Sequence, residues 1–146
     1  MSELLGEGLA VTLHQLVYRL DAHAERLLRQ HHGVSYSNFH FLAVATTTDR
    51  PDVTTLAECL GVSKAAVSKR LDALVRGGWI TLGSDPAHAR RVIIELTPQA
   101  LTLVAEGTAM LEREVAQVLS GLPPGEAQQL NERLRALLEQ IPEPPS

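Results

Sequence analysis

Cysteine is almost missing from this chain: Cys59 stands alone, so no intrachain disulfide can staple the fold and any core must come from apolar packing. Aromatic residues make up only 3%, and the apolar content is mostly Leu, Ala, Val and Ile, which suits a helical protein better than a β sandwich. No apolar run is long enough to span a bilayer, and the first residues lack a basic segment followed by an uninterrupted apolar one, so a cytoplasmic protein with no membrane contact is expected. Signatures of catalysis are absent too. There is no G-x-S-x-G elbow, phosphate loop, dinucleotide fingerprint or H-E-x-x-H, and Ser84, Asp85 and His88 fall in an exposed turn-rich segment, so neither an enzyme nor a cofactor is expected. The six histidines do not converge: His14 and His23 project to opposite sides of a helix, and His31 and His32 diverge as neighbours, so no metal site is expected. Cys59, beside apolar positions and near no obvious basic partner in sequence, reads as an inert thiol rather than a redox switch.

What is present is concentrated between Thr54 and Thr97. Thr55 and Glu58 have the spacing of a capping box, which predicts a helix starting near Thr55, with Leu56, Ala57 and Leu60 on one side. Gly61 permits the positive φ that ends a helix, and Ser63 is a good N-cap for a second helix with Val67, Leu71, Leu74 and Val75 at helical spacing. The other face of that helix carries Lys64, Ala65, Ser68, Lys69 and Asp72. Short, hydroxylic and cationic side chains of this kind can approach the floor of a DNA groove and donate to phosphates and base edges. Arg70 and Arg76 add charge, and Gly77-Gly78 stops the helix before Trp79. Ile80–Leu82 and Val92–Leu96 then read as strands of a small hairpin, Val92, Ile94 and Leu96 alternating to one face. Between them lie the turn formers Gly83–Pro86 and the cations Arg90 and Arg91, which can reach phosphate or a minor groove. These elements predict a winged helix-turn-helix.

At this point the residues resemble the MarR family of bacterial transcription regulators. GVSYSNFHFL at 33–42 is similar to the family's Gly-Leu-Thr-x-x-Gln-Phe-x-Val-Leu segment, with Ser35, Asn38 and Phe39 at the Thr, Gln and Phe positions. LAECLGVSKAAVSKRLDALVRGGWI at 56–80 looks like the family's helix-turn-helix, and DPAHARRVIIELTPQA at 85–100 like its wing and following helix. The wing pattern Asp-Pro-x-Asp-x-Arg has His88 in place of its second Asp and keeps Arg90.

The formal charge of −4 is unevenly spread. From Val62 to Arg91 six cations face Asp72 and Asp85, a net +4, so the remainder carries −8. A polyanion responds to the charges within a screening length of roughly 8 Å rather than to the whole-chain balance. Flanking this segment are long amphipathic helices. Leu9, Leu13, Leu16, Val17, Leu20, Ala24 and Leu27 form one stripe; Thr97-Pro98 opens a helix running to about Ser120; Gly121–Gly125 breaks the chain; and a last helix carries Leu130, Leu134, Leu137, Leu138 and Ile141.

One small winged module gives these helices too little to cover, which points to a homodimer, and the resemblance implies the same. The expected fold is mainly α with a small β-hairpin wing, a single domain over 1–146. Within it, about 1–32 and 98–142 are dimerisation helices, and about 35–97 is the winged helix-turn-helix. The expected function is a dimeric, ligand-responsive repressor that binds double-stranded DNA at a pseudo-palindromic operator. Its DNA contacts would be Ser63, Lys64, Ala65, Ser68, Lys69, Arg70, Arg76, Arg90 and Arg91. The alternative is a winged-helix dimer acting through protein contacts with weak or no DNA binding, which His88 and the negative charge would permit. The resemblance further implies a small aromatic or anionic effector between the dimer helices and the winged module, with Tyr36 and His40 as its contacts.

Overall fold

Helix α1 (Leu9–His32) is the first element of the computed structural model, which describes residues 8–143. It is followed by α2 (Tyr36–Thr46), α3 (Val53–Leu60), α4 (Lys64–Arg76), β1 (Ile80–Asp85), β2 (His88–Leu96), α5 (Pro98–Leu119) and α6 (Glu126–Leu138). The chain divides into two compact units, Met1–Gly107 and Thr108–Ser146, with the boundary inside α5.

The first unit holds the core. Phe41, Leu42, Leu28, Leu56, Leu74, Ile80, Ile93, Ile94 and Val67 are fully buried, each removing roughly 1.5–3 kcal/mol of apolar exposure from water. They come from α1, α2, α3, α4 and both strands, so the helix pair α3–α4 and the hairpin are fixed to one body. No buried side-chain polar atom among the described residues lacks a partner.

Local chemistry sets the boundaries. Gly61 takes φ 66°, and the amides of Val62 and Gly61 return to the carbonyls of Ala57 and Glu58, closing α3 in the Schellman pattern that leaves room for an abrupt turn into α4. Thr97 Oγ1 accepts from the Ala100 amide at 3.2 Å and donates to the Gly78 carbonyl at 2.7 Å, so one hydroxyl caps α5 and ties it to the end of α4. The strands are antiparallel, with Ile80 opposite Leu96 and Ser84 opposite Val92.

Several boundaries differ from the sequence expectation. Helix α3 starts at Val53, not near Thr55, because Asp52 is the N-cap: its Oδ1 accepts from the Thr55 amide at 2.8 Å. Thr55 therefore supplies a capped amide instead of a capping hydroxyl. Both strands are longer than expected, and the alternation Val92, Ile94, Leu96 breaks down, since Val92 is exposed while the neighbours Ile93 and Ile94 are both buried. Strand β2 packs against α2 and α3, and the Ile94 amide also bonds the Pro51 carbonyl at 2.8 Å, so it behaves locally as an interior strand. Helix α6 ends at Leu138, leaving Ile141 beyond it.

Gly107 explains itself by contact. A glycine inside a helix costs about 1 kcal/mol relative to alanine, yet a Cβ here would lie 2.5 Å from Cε2 of the buried Phe39 ring. Gly107→Ala is therefore expected to lower stability by about 1–3 kcal/mol in chemical denaturation, because overpacking outweighs the propensity gain. A stabilised variant would show that the ring moves aside freely.

Candidate nucleic-acid interface

Ser63 Oγ accepts from the Ala66 amide at 3.1 Å, which starts α4 at Lys64 and fixes the rotational phase of everything after it. Val67, Leu71 and Leu74 turn inward; Ser63, Lys64, Ala65, Ser68, Lys69, Asp72 and Arg76 are exposed. No acidic residue occupies the first turn, where the helix dipole would favour one. Lys64 stands there instead and opposes the dipole, at a cost of about 0.3–1 kcal/mol, so its position gains nothing for the helix itself.

Beside this face, α3, α4 and β2 enclose an open cleft of about 610 Å³, lined by Asp52, Val53, Thr54, Lys64, Ser68, His88, Arg90, Arg91 and Val92. The cleft joins the N-terminal half of α4 to the wing. Lys64, Lys69, Arg76 and Arg90 are exposed and make no ion pair among the described residues.

Two of the expected DNA-contacting cations are placed differently. Arg70 Nη2 donates to the Ser37 carbonyl and to Asn38 Oδ1, both at 2.9 Å, and its guanidinium lies 4.9 Å above the Phe41 ring. Partial burial lowers its pKa from the ordinary arginine value. Arg70 thus ties α4 to α2 from the side away from the open face. Arg91 donates Nε to Asp52 Oδ2 at 2.7 Å and Nη1 to Asp85 Oδ2 at 3.1 Å. Its hydrogen bond to Asp52 raises its pKa; the Asp52 carboxyl is lowered chiefly by the Thr55 amide, and that of Asp85 chiefly by the Ala87 amide, with Arg91 adding to both.

The candidate effector residues lie at the start of α2. Tyr36 and His40 stack one turn apart, ring centroids 5.9 Å apart and planes 7° from parallel. Tyr36 is half-buried, and desolvation raises its phenol pKa. Its amide donates to Glu25 Oε2 at 2.5 Å, and Glu25 also pairs with Arg29; the amide bond is the main reason the Glu25 carboxyl titrates low. Ser35 caps the same helix by accepting from the Asn38 amide at 3.1 Å. Cys59 is exposed near the end of α3. No cluster of three metal-binding side chains occurs among the described residues, and no helix among them is long and apolar enough to cross a membrane.

Sequence reasoning missed Asp52, Ser37, Asn38 and Glu25 as partners in this region. For Asp52 there was a signal: Pro-Asp directly before an apolar-periodic run is a good helix start. The others act across long sequence separations that no local pattern reports.

Comparison with known proteins gives the same architecture. The MarR family model matches residues 32–91. MepR of S. aureus, solved in complex with DNA, superposes with a TM-score of 0.78 at 21% identity, covering 91% of this chain and 97% of that one. FabT of Streptococcus pneumoniae, also in complex with DNA, gives 0.80 at 18% identity, covering 89% and 92%. The transcriptional regulator BldR of Sulfolobus solfataricus gives 0.72 at 25% identity, covering 91% and 94%. The match to the MarR family model thus spans residues 32–91, the helix-turn-helix and most of the wing, and the chain shares the winged helix-turn-helix fold of these solved regulators.

Proposed function

We propose that the protein is a homodimeric, ligand-responsive repressor that binds a pseudo-palindromic duplex, with no catalytic activity of its own. Residues about 35–97 form its DNA-binding region, and the segments about 1–32 and 98–142, of which residues 1–7 lie outside the described residues, its dimerisation surface through α1, α5 and α6. The observation that carries this reading is the open face of Lys64, Ser68 and Lys69 on α4, continuous through a cleft with the wing cation Arg90, which has no ion pair among the described residues. Solved complexes of MepR and FabT with DNA support a duplex as the partner. In a twofold dimer the two α4 helices would meet successive major grooves about 34 Å apart. Arg76 adds a cation at the far end of α4, while Ser63 and Ala65 let the backbone come close.

Exposed apolar side chains support the dimer. Leu9, Leu16 and Val17 on α1 are 61%, 45% and 55% exposed, and within the second unit Val118, Leu138 and Ile141 are 61%, 67% and 67% exposed. Such surface is expected to be covered by a partner copy. The stacked Tyr36–His40 pair offers a flat surface for a small aromatic or anionic effector, whose binding would alter the spacing of the α4 helices.

Selection from random duplexes, followed by affinity measurements across salt, tests the core of this reading. With Lys64, Lys69 and Arg90 of both protomers on phosphates, log affinity should fall with log salt at a slope of about −5. A flat dependence, or no duplex recovered, would favour action through another protein.

A further inference from the structure

We propose that Arg91 is a positioning residue: with Asp52 and Asp85 it forms a clasp that locks the wing to the start of α3 and so sets where Arg90 stands relative to α4. This rests on the duplex-binding reading for its consequence, but the clasp itself is a property of the free protein.

The wing needs such a device because its pairing fails where the cations are. Ser84 pairs with Val92, but the next residue, Asp85, pairs with His88, so Ala89, Arg90 and Arg91 have no cross-strand partner. Bulged residues of this kind leave the ladder and are re-aimed by whatever else holds them. On the inner side, β2 is anchored by buried Ile93 and Ile94, by the bond from the Ile94 amide to Pro51 and by a bridge from Asp52 to Ile93. Arg91 is the last fixed point before the tip, and its three contacts run in three directions. Nε reaches Asp52, Nη1 reaches Asp85 and Nη2 reaches the Arg50 carbonyl at 3.5 Å.

Each carboxylate has a second duty that makes the clasp rigid. Asp52 Oδ1 holds the Thr55 amide while Oδ2 holds Arg91, so the arginine is referred directly to the α3 helix start. Asp85 Oδ1 holds the Ala87 amide at 3.0 Å while Oδ2 holds Arg91, so the tip turn is referred to the same guanidinium. The planar fork of arginine satisfies both acids at once, a geometry lysine cannot reproduce. With two carboxylates on it, the Arg91 charge is already matched, whereas neighbouring Arg90 is open to solvent at the cleft.

Charge arithmetic and mechanics predict opposite signs, which makes the proposal decidable. Asp52→Asn keeps a good N-cap but removes the charge that holds Arg91. If Arg91 itself met phosphate, freeing it would tighten binding to the selected duplex. The clasp predicts the reverse, a loss on the order of tenfold for Asp52→Asn and for Arg91→Ala, with Arg91→Lys failing to restore it. Arg91→Ala should keep the parent's salt slope, while Arg90→Ala lowers it.

Amide hydrogen exchange on the DNA-free protein reads the clasp directly: protection at the Ala87 amide, held by Asp85, and at the paired strand residues Ser84, Asp85, His88 and Val92 should fall about tenfold in Arg91→Ala and Asp52→Asn, with the double variant no worse than either. Tighter binding by Asp52→Asn, or unchanged exchange in Arg91→Ala, overturns the clasp. If the parent binds no duplex, the DNA reading fails, and the exchange measurement still decides the clasp.

Discussion

Arg90→Ala is expected to weaken binding to the selected duplex by on the order of a hundredfold while leaving the melting temperature of the free protein nearly unchanged. The side chain is exposed, lies at the mouth of the cleft and has no ion pair among the described residues, so folding does not depend on it. Surface changes of this kind usually fall within about 0.5 kcal/mol in stability. The loss on binding is larger because one charge-assisted contact disappears from each protomer of the proposed dimer. Taking about 1.4 kcal/mol, or tenfold, for each gives the hundredfold figure. Two lost phosphate contacts should also make the salt slope shallower by nearly two units. Fluorescence anisotropy at several salt concentrations reads both quantities. An unchanged slope would mean that the wing does not touch the backbone. Lys69→Ala should behave alike, whereas a change in the core would lower affinity only in step with stability.

The helix pair was legible from sequence because its punctuation is local. Gly61 and Ser63 mark one turn by steric and hydrogen-bonding needs that hold in any context, and Val67, Leu71 and Leu74 bury as their spacing requires. The cations were harder, since counting charge treats all of them alike. For Arg70 the information was present: at roughly 100° per residue it falls nearly half a turn from the Lys64–Lys69 face, so it points back toward α2. The same wheel brings Val75 round to the Lys64 edge, and it is indeed 41% exposed instead of buried. For Arg91 no local pattern suffices. Its principal partner, Asp52, is 39 residues away, and the juxtaposition exists only because β2 lies along the segment that precedes α3. The start of α3 was misplaced for a related reason: Thr55–Glu58 and Asp52–Thr55 are both sound caps, and the bridge between Asp52 and Ile93 favours the earlier one. The stripe on α1 shifted as well, since Leu28 rather than Leu27 is fully buried and the N-terminal apolar residues stay exposed in the single chain.

Phe41→Ala should be the most damaging single change to the first unit, costing about 3–5 kcal/mol in chemical denaturation. Phe41 is fully buried on α2, the bulkiest of the side chains in that class, and its removal leaves a cavity that helices held by caps and strand contacts cannot collapse to fill. A second loss follows, because the Arg70 guanidinium lies on the ring and would lose an attraction of about 0.5–1 kcal/mol. For a domain of ordinary stability, on the order of 5–15 kcal/mol, the sum takes a large share of what keeps the protein folded. The variant also separates two effects on DNA binding. Arg70 stays bonded to Ser37 and Asn38, so α4 keeps one tie to α2 when the ring is gone. Folded Phe41→Ala protein, measured well below its lowered melting temperature, should therefore retain the salt slope of the parent while losing affinity, since every open cation is still present. Phe41→Leu should recover most of the stability and the affinity together. If Phe41→Ala instead lost less than about 1 kcal/mol, the packing between α2 and α4 described above would be wrong.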